Sequence, residues 1–401
     1  MFRFIENGSI TSAKGFKAAG IFCGIKKKKK DLALIVSDEL CDAAGVYTLN
    51  KVKAAPLLIS KEITDSKNKV KAILINSGNA NACTGDEGFQ AAKITQERTA
   101  DKLNVKAENI LISSTGVIGI RFPFEKIIDG LDEIVESLST NGGIDAAEAI
   151  RTTDTTRKSF AVKVKLSIGE VTIGSICKGS GMIMPNMATM LGFITTDAKI
   201  EKQLLQKLLV AATNISFNKI SVDGETSTND MVVILANGLS GLQLIEGTDD
   251  ENIFQSALNE LSIAMAKSIV ADGEGATKLI TINVTGAKTQ IDADLIGKSL
   301  ANSNLLKTAI YGNDANWGRI MSAAGMSGAD FEPEKVSIFF DDLEILSPNF
   351  NIKLDEEKAL AVLSKKEISI SVNLNGGSFS TTFWTCDFSE EYVKINANYR
   401  T

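Results

Sequence analysis

The stretch Lys178-Gly-Ser-Gly-Met-Ile-Met-Pro-Asn-Met-Ala-Thr-Met-Leu191 places a hydroxyl side chain, Thr189, after a small residue, Ala188, and a Gly/Pro-rich approach. A self-cleaving threonine needs that setting. Attack of Thr189 Oγ on the Ala188 carbonyl would turn the peptide bond into an ester, and water would then release a new chain beginning with Thr189. The new α-amine, with a reference pKa of about 7.7–8.0, can take the proton of its own side-chain hydroxyl. As an amide in the uncut chain, the same nitrogen has no such basicity. The tetrapeptide Ala188-Thr189-Met190-Leu191 also reads as the opening of a buried helix or strand, and both readings stand at this point.

The chain of 401 residues contains no histidine. Ser-His-Asp, Cys-His and His-metal sites are therefore excluded, and a general base must be a carboxylate, lysine, tyrosine, thiolate or α-amine. The five cysteines (Cys23, Cys41, Cys83, Cys177, Cys386) are scattered without a C-x-x-C pair. They read as reduced, mostly buried thiols, and no metal site is expected.

At 44% hydrophobic and 23% charged residues the composition is that of a globular protein large enough for two domains. A net charge of −6, with both signs mixed along the chain, gives no broad footprint for nucleic acid. The one charge run, Lys26 to Lys30, precedes the apolar Leu32–Val36 and reads as a solvated hairpin tip. The N-terminus lacks an apolar signal core, and no run of 18 apolar residues occurs, so a cytoplasmic protein without membrane contact is expected.

The elements that must position these groups alternate in type. Leu32–Val36, Gly45–Thr48, Val70–Ile75 and Asn109–Ile112 have strand length and turn-residue boundaries, while Gly85–Leu103 and Phe124–Leu138 carry apolar residues at helical spacing. Ser159–Leu166 and Glu170–Cys177 read as a hairpin leading into the Lys178 segment. Beyond Thr189 the pattern predicts strands at Leu191–Thr195, Met231–Leu235, Lys278–Val284 and Val336–Phe340. Helices are expected at Lys202–Ser216, Asp250–Val270 and Leu295–Ala309, a hairpin from Ile368–Leu374 to Gly376–Trp384, and a strand-like Glu391–Ile395. The fold class is mixed α and β.

Further constellations could carry chemistry. Ser113-Ser-Thr-Gly116 follows a strand, and the hydroxyl of Thr115 beside the N–H of Gly116 makes a pair of donors for a developing oxyanion. Neither Gly179-Ser-Gly181 nor Asn76-Ser-Gly-Asn-Ala-Asn-Ala-Cys-Thr-Gly85 has phosphate-loop spacing. The acidic turns Asp223–Asp230 and Asp272–Lys278 lack EF-hand ligand spacing, and a carboxylate in either suits a substrate ammonium group as well as a cation.

Taken together, Gly15–Gly20, Asn76–Ala82, Ser114–Gly119, Thr152-Thr-Asp154, Lys178–Leu191, Ser221–Asp230, Gly273–Lys278, Gly312–Arg319 and the ending Asn-x-x-Tyr-Arg-Thr resemble the ornithine acetyltransferase family, the bifunctional glutamate N-acetyltransferases of arginine biosynthesis. The resemblance runs nearly end to end. It implies cleavage between Ala188 and Thr189 into chains 1–188 and 189–401, acetylation of Thr189, and an oxyanion hole from Thr115 and Gly116. It also implies substrate contacts at Thr152, Lys178, Thr189, Glu274, Asn396 and Thr401. The implied reaction moves the acetyl group of N2-acetylornithine to glutamate, with no bound cofactor or metal and with acetyl-CoA as a possible further donor. The implied fold is a layered helix and sheet arrangement resembling N-terminal-nucleophile hydrolases, its cleaved chains paired as α2β2. Two competing readings are an N-terminal-threonine amidase or aminopeptidase, which passes the acyl group to water, and a catalytically silent binding protein that stays intact.

Overall fold

The computed structural model describes residues 1–184 and 190–398. It divides into two compact units, one of Met1–Gly179, Asn186–Asn218 and Thr226–Ile269, the other of Ser180–Pro185, Lys219–Glu225 and Val270–Thr401. Each unit has its own sheet.

In the first unit a nine-stranded sheet runs in the order Phe2–Phe4, Lys158–Leu166, Gly169–Lys178, Leu191–Thr196, Met231–Ala236, Leu32–Tyr47, Val70–Asn79 and Ile110–Val117, with Phe16–Ile21 also paired to Leu32–Tyr47. Leu32–Val36 and Gly45–Thr48, expected as two strands, fall on one strand of 16 residues that ends at Tyr47, one residue short of Thr48. Its register against Val70–Asn79 shifts between Val36 and Cys41, where Asp38, Glu39 and Leu40 are exposed. That polar interruption is what splits the apolar pattern in the sequence.

Helices Ala55–Asp65, Gly85–Leu103 and Lys202–Ile215 pack on this sheet. Gly85–Leu103 buries Gly88, Ala91, Ala92, Thr95, Gln96, Thr99 and Ala100, one stripe at helical spacing, with Asp86 and Glu87 in its first turn and Lys102 in its last. Phe124–Leu138 forms two short helices, Phe124–Asp129 and Leu131–Glu136, meeting at Gly130. The core joins Phe16, Leu34, Ile73, Leu111, Phe193 and Val233.

The lysine run does lie between the paired strands Phe16–Ile21 and Leu32–Tyr47, but it is not wholly solvated. Lys26 turns inward and donates from Nζ to the Arg151 carbonyl at 2.7 Å and the Lys30 carbonyl at 2.8 Å.

The second unit holds a seven-stranded sheet in the order Asn351–Ile352, Leu343–Ser347, Ser337–Phe340, Glu367–Asn373, Leu279–Ala287, Phe379–Cys386 and Ile220–Ser221. The expected hairpin between the two strands near the C-terminus does not form, because Leu279–Ala287 lies between them, parallel to one and antiparallel to the other. The connecting turn crosses the end of that inserted strand. Leu374 and Gly376 donate to the carbonyls of Thr285 and Gly286, and a Cβ at Gly377 would lie 2.3 Å from the Ala287 carbonyl oxygen.

Leu295–Ala309 likewise becomes two helices, Gln290–Ala301 and Asn304–Tyr311, because Ser303 caps a new start by accepting from Leu306 N. Glu391–Ile395 is part of a helix, Glu390–Ala397, whose acidic first turn and Lys394 near its end favour that form. Among the described residues no helix is long and apolar enough to cross a membrane.

Candidate functional site

Thr115 and Gly116 close the strand Ile110–Val117, where its parallel register with Val70–Asn79 becomes irregular at Gly78 and Asn79. Gly116 has φ +133°, and a Cβ there would come within 2.3 Å of the Gly78 carbonyl carbon and 2.5 Å of Asn79 N. Only glycine meets both demands.

The turn is braced from several sides. Asn76 accepts from Ser114 Oγ at 2.5 Å and donates to the Asn79 carbonyl at 2.9 Å, and Asn229 Nδ2 donates to the carbonyls of Ala80 at 2.7 Å and Ser114 at 2.8 Å. The glycine- and asparagine-rich Asn76–Ala82 segment thus shapes the turn that carries Thr115.

Lys178 ends the strand Gly169–Lys178 and is 3% exposed. Its Nζ donates to Thr115 Oγ1 at 3.3 Å. A hydroxyl oxygen that accepts from an ammonium keeps its own proton available for donation. The antiparallel register sets Lys178 opposite Leu191, the second residue after Thr189.

Asp154 ties Thr152 to this group. Its Oδ1 accepts from Lys158 Nζ at 2.7 Å and from Gly179 N at 2.8 Å, and its Oδ2 accepts from Thr152 N at 3.1 Å. Burial alone would push this carboxyl up, but the charges of Lys178 and Lys158 and the Gly179 N–H hold it well below the usual carboxylate range.

Asp230 is another buried carboxyl of the unit. Its Oδ1 accepts from Met190 N at 3.0 Å, and burial lifts its pKa well above the ordinary value against the pull of the Met190 N–H and Lys178. Burial also pushes the Cys177 thiol up to about 12, so the cysteine next to Lys178 is a poor base. Asp154 and Asp230 both fall inside motifs read from the sequence, Thr152-Thr-Asp154 and Ser221–Asp230, but their partners are distant in the chain and were not legible there.

In the second unit Glu274 is buried, its backbone N–H donates to the Ser180 carbonyl at 2.9 Å, and its Oε2 accepts from Asn396 Nδ2 at 2.8 Å. Asp223 accepts from Met182 N, Ile183 N and the Tyr392 hydroxyl. Burial raises its pKa further than those backbone donors lower it, and the charge of Glu274 adds to the rise.

The structure therefore brings Thr115, Gly116, Thr152 and Lys178 together in the first unit, and Glu274 and Asn396 together in the second. Ala188, Thr189 and Thr401 lie outside the described residues. Among the described residues no group of three or more carboxylates or thiols could hold a metal ion.

The sequence matches the ArgJ family over residues 17–401. It is 48% identical over 402 residues to the arginine biosynthesis bifunctional protein ArgJ of Caldanaerobacter subterraneus subsp. tengcongensis, covering 99% of this chain and all of that one. The protein of the same name from Chlorobaculum tepidum is 49% identical over 388 residues, 96% of each chain. A crystal structure of arginine biosynthesis bifunctional protein argJ from Bacillus halodurans is 45% identical with a TM-score of 0.51, over 52% of this chain and 99% of that one. With a match of this length running through the Thr115, Thr152, Lys178 and Glu274 segments, the chain belongs to the ArgJ family.

Proposed function

We infer that this chain cuts itself between Ala188 and Thr189 and uses the new N-terminal threonine to move the acetyl group of N2-acetylornithine to glutamate, giving ornithine and N-acetylglutamate. The observation that carries this reading is the Lys178 ammonium on Thr115 Oγ1, beside a left-handed Gly116 and two residues across the sheet from the nucleophile segment.

In the forward half-reaction the α-amine of Thr189 takes the Oγ proton as Oγ adds to the acetyl carbonyl. The tetrahedral oxyanion accepts from Thr115 Oγ1 and Gly116 N–H. Ornithine leaves with the proton returned by the Thr189 ammonium, and acetyl-Thr189 remains. The amine of glutamate then attacks the ester and reverses the sequence.

Lys178 suits a substrate carboxylate, and Thr152 lies on the same Asp154 anchor. Glu274 with Asn396 suits a substrate ammonium. Thr401 completes the proposed contacts. Acetyl-CoA serves as a second acetyl donor in this reading, no cofactor or metal is bound, and the enzyme is cytoplasmic. The two pieces, 1–188 and 189–401, stay together and pair as α2β2. Support for division comes from the Bacillus halodurans chain, covered almost whole by about half of this one.

The test is the intact mass under denaturing conditions beside Thr189→Ala. Two fragments meeting at Ala188/Thr189, with an uncut variant, are expected; an uncut wild-type chain refutes the reading. Glutamate must then accelerate loss of acetyl from the enzyme. Loss at the same rate to water alone identifies an amidase instead.

A further inference from the structure

Lys27, Lys28 and Lys29 of the lysine run are exposed, but Lys26 turns back into the first unit. The buried Asp31 holds the tip that carries it. Its Oδ1 accepts from Cys23 N at 2.7 Å and its Oδ2 from Lys26 N at 2.8 Å, while its carbonyl accepts from Ser77 N at 2.9 Å. The stem of Lys26 lies on the next residue, Gly78, where a Cβ would come within 3.0 Å of Lys26 Cγ. Gly78 is also the backbone against which Gly116 packs.

From Gly78 the side chain reaches the turn that carries Thr152. Lys26 Nζ donates to the Arg151 carbonyl at 2.7 Å, and the amide that follows, Thr152 N, donates to Asp154 Oδ2 at 3.1 Å. That C=O and that N–H are the two polar ends of one planar trans peptide unit and point in opposite directions. Lys26 and Asp154 therefore grip the same plane from opposite edges, and the Cα of Thr152 belongs to that plane. The Arg151 side chain closes the turn by donating from Nη2 to the Asp154 carbonyl at 2.7 Å. Ordering a lysine and drawing its ammonium out of water are both costly, and the charge-assisted bond to Arg151 is what the inward turn gains. Burial lowers the Lys26 pKa to about 8; Asp31 and Glu148 oppose that shift, and Lys29 and Lys178 add to it. The field of Lys178, the cation on Thr115, thus reaches Lys26.

We propose that Lys26 is a positioning residue for Thr152: from its seat on the Gly78 turn it fixes the Arg151–Thr152 peptide plane, and with it the direction in which Thr152 meets the substrate. This rests on the substrate contact proposed above for Thr152. Because Gly78 also backs Gly116, one side chain ties the Thr152 turn to the turn that carries the proposed oxyanion donors. Without the ammonium the plane keeps only its N–H edge, held by Asp154.

Lys26→Met keeps the stem on Gly78 and removes the ammonium. In the whole protein kcat/KM for N2-acetylornithine is expected to fall roughly 10-fold, chiefly through KM, as for a misaligned contact away from the reacting atoms. In a Thr152→Ala background the same change should cost less than about 2-fold, because the group it positions is gone. Losses that simply multiply are what a merely structural lysine would give, and they overturn the proposal, as does an unchanged kcat/KM. Should Lys26→Met not accumulate in soluble form, Lys26→Arg, which keeps the charge and the donors, enters the same cycle. Its kcat/KM is expected within about 3-fold of wild type, or its loss to disappear with Thr152→Ala; a loss that persists there refutes the positioning. Hydrogen exchange keeps this apart from the reading of function. The Thr152 amide should exchange at least about 10-fold faster in Lys26→Met whether or not acetyl is transferred, and exchange at the wild-type rate overturns the proposal. A wild type that transfers no acetyl refutes the reading of function and leaves the exchange rate to decide the role of Lys26.

Discussion

Replacing Asp154 by asparagine keeps the side-chain shape and removes one charge from a cluster that includes two lysines. Asp154 and Lys158 side chains are 0% and 1% exposed, so water does not screen the pair. An asparagine oxygen can keep the bonds to Lys158 and Gly179, but its amide group then faces the Thr152 N–H that Oδ2 accepted. Removing one partner of a buried ion pair costs about 3–5 kcal/mol. At roughly 2–4 °C per kcal/mol for a unit of this size, the midpoint of thermal unfolding should fall by on the order of 10 °C. The assay is a thermal scan of wild type and variant at one concentration and scan rate.

The pH dependence gives a second check. The folded pKa of Asp154 is depressed, so its contribution is fully present above its unfolded value of about 3.9 and is lost as pH falls below that toward the folded value. The gap between wild type and Asp154→Asn should therefore be constant from pH 8 to 5 and shrink below about pH 4. Adding Lys158→Met to Asp154→Asn should recover part of the loss, because the stranded ammonium is then gone. A fall of less than about 2 °C, or a gap that does not narrow in acid, refutes the assignment of Asp154 as the ionised anchor of Thr152, Lys158 and Gly179.

Gly116→Ala should lower kcat for acetyl transfer by about 10²–10³-fold through displacement of the proposed oxyanion donors, read by steady-state kinetics, since the added Cβ meets Gly78 and Asn79 backbone rather than a movable side chain. Lys26 has its pKa lowered to about 8, first by burial, so the unfolded chain binds its proton more tightly and stability gained through this group rises between about pH 8 and 10.5. Lys26→Met should remove that rise, as measured by urea unfolding at pH 7.5 and 9.5.

The candidate site residues were legible where a local motif announces them. Thr115-Gly116 follows a strand, and Lys178 ends a hairpin whose alternation gives its extent nearly to the residue. Helix Gly85–Leu103 was legible for the same reason: seven buried positions fall on one stripe. Pairing was not. Alternation in Ile368–Leu374 and Gly376–Trp384 reports which face each strand buries, and says nothing of a partner some 90 residues earlier that enters between them. The braces of the site were hidden for a related reason. Asn229 reaches Ser114 across 115 residues, Asp154 reaches Gly179 across 25, and Asp230 reaches Met190 across 40, and a lone Asn or Asp in sequence has no spacing that reveals this. Lys26 is indistinguishable in composition from its four lysine neighbours. Only the Arg151 carbonyl, 125 residues away, separates it from them.

The sheet of the first unit also gives a reason why the proposed cut between 188 and 189 would leave the fold in place. Leu191–Thr196 and Met231–Ala236 follow the proposed cut and pair with each other, while their outer neighbours, Gly169–Lys178 on one side and Leu32–Tyr47 on the other, precede it. Every residue of the two inner strands is buried. Withdrawing them would expose Leu191, Phe193, Ile194, Met231, Val232, Val233, Ile234 and Leu235, at about 1.5–3 kcal/mol for each large apolar side chain, a total on the order of 10 kcal/mol or more. The ladder bonds on both flanks would be lost as well. A break between 188 and 189 would leave these ladders intact, with Met190 N held by Asp230 and Leu191 in register with Lys178. What the proposed break would change is the chemistry of one nitrogen, from a non-basic amide to an amine.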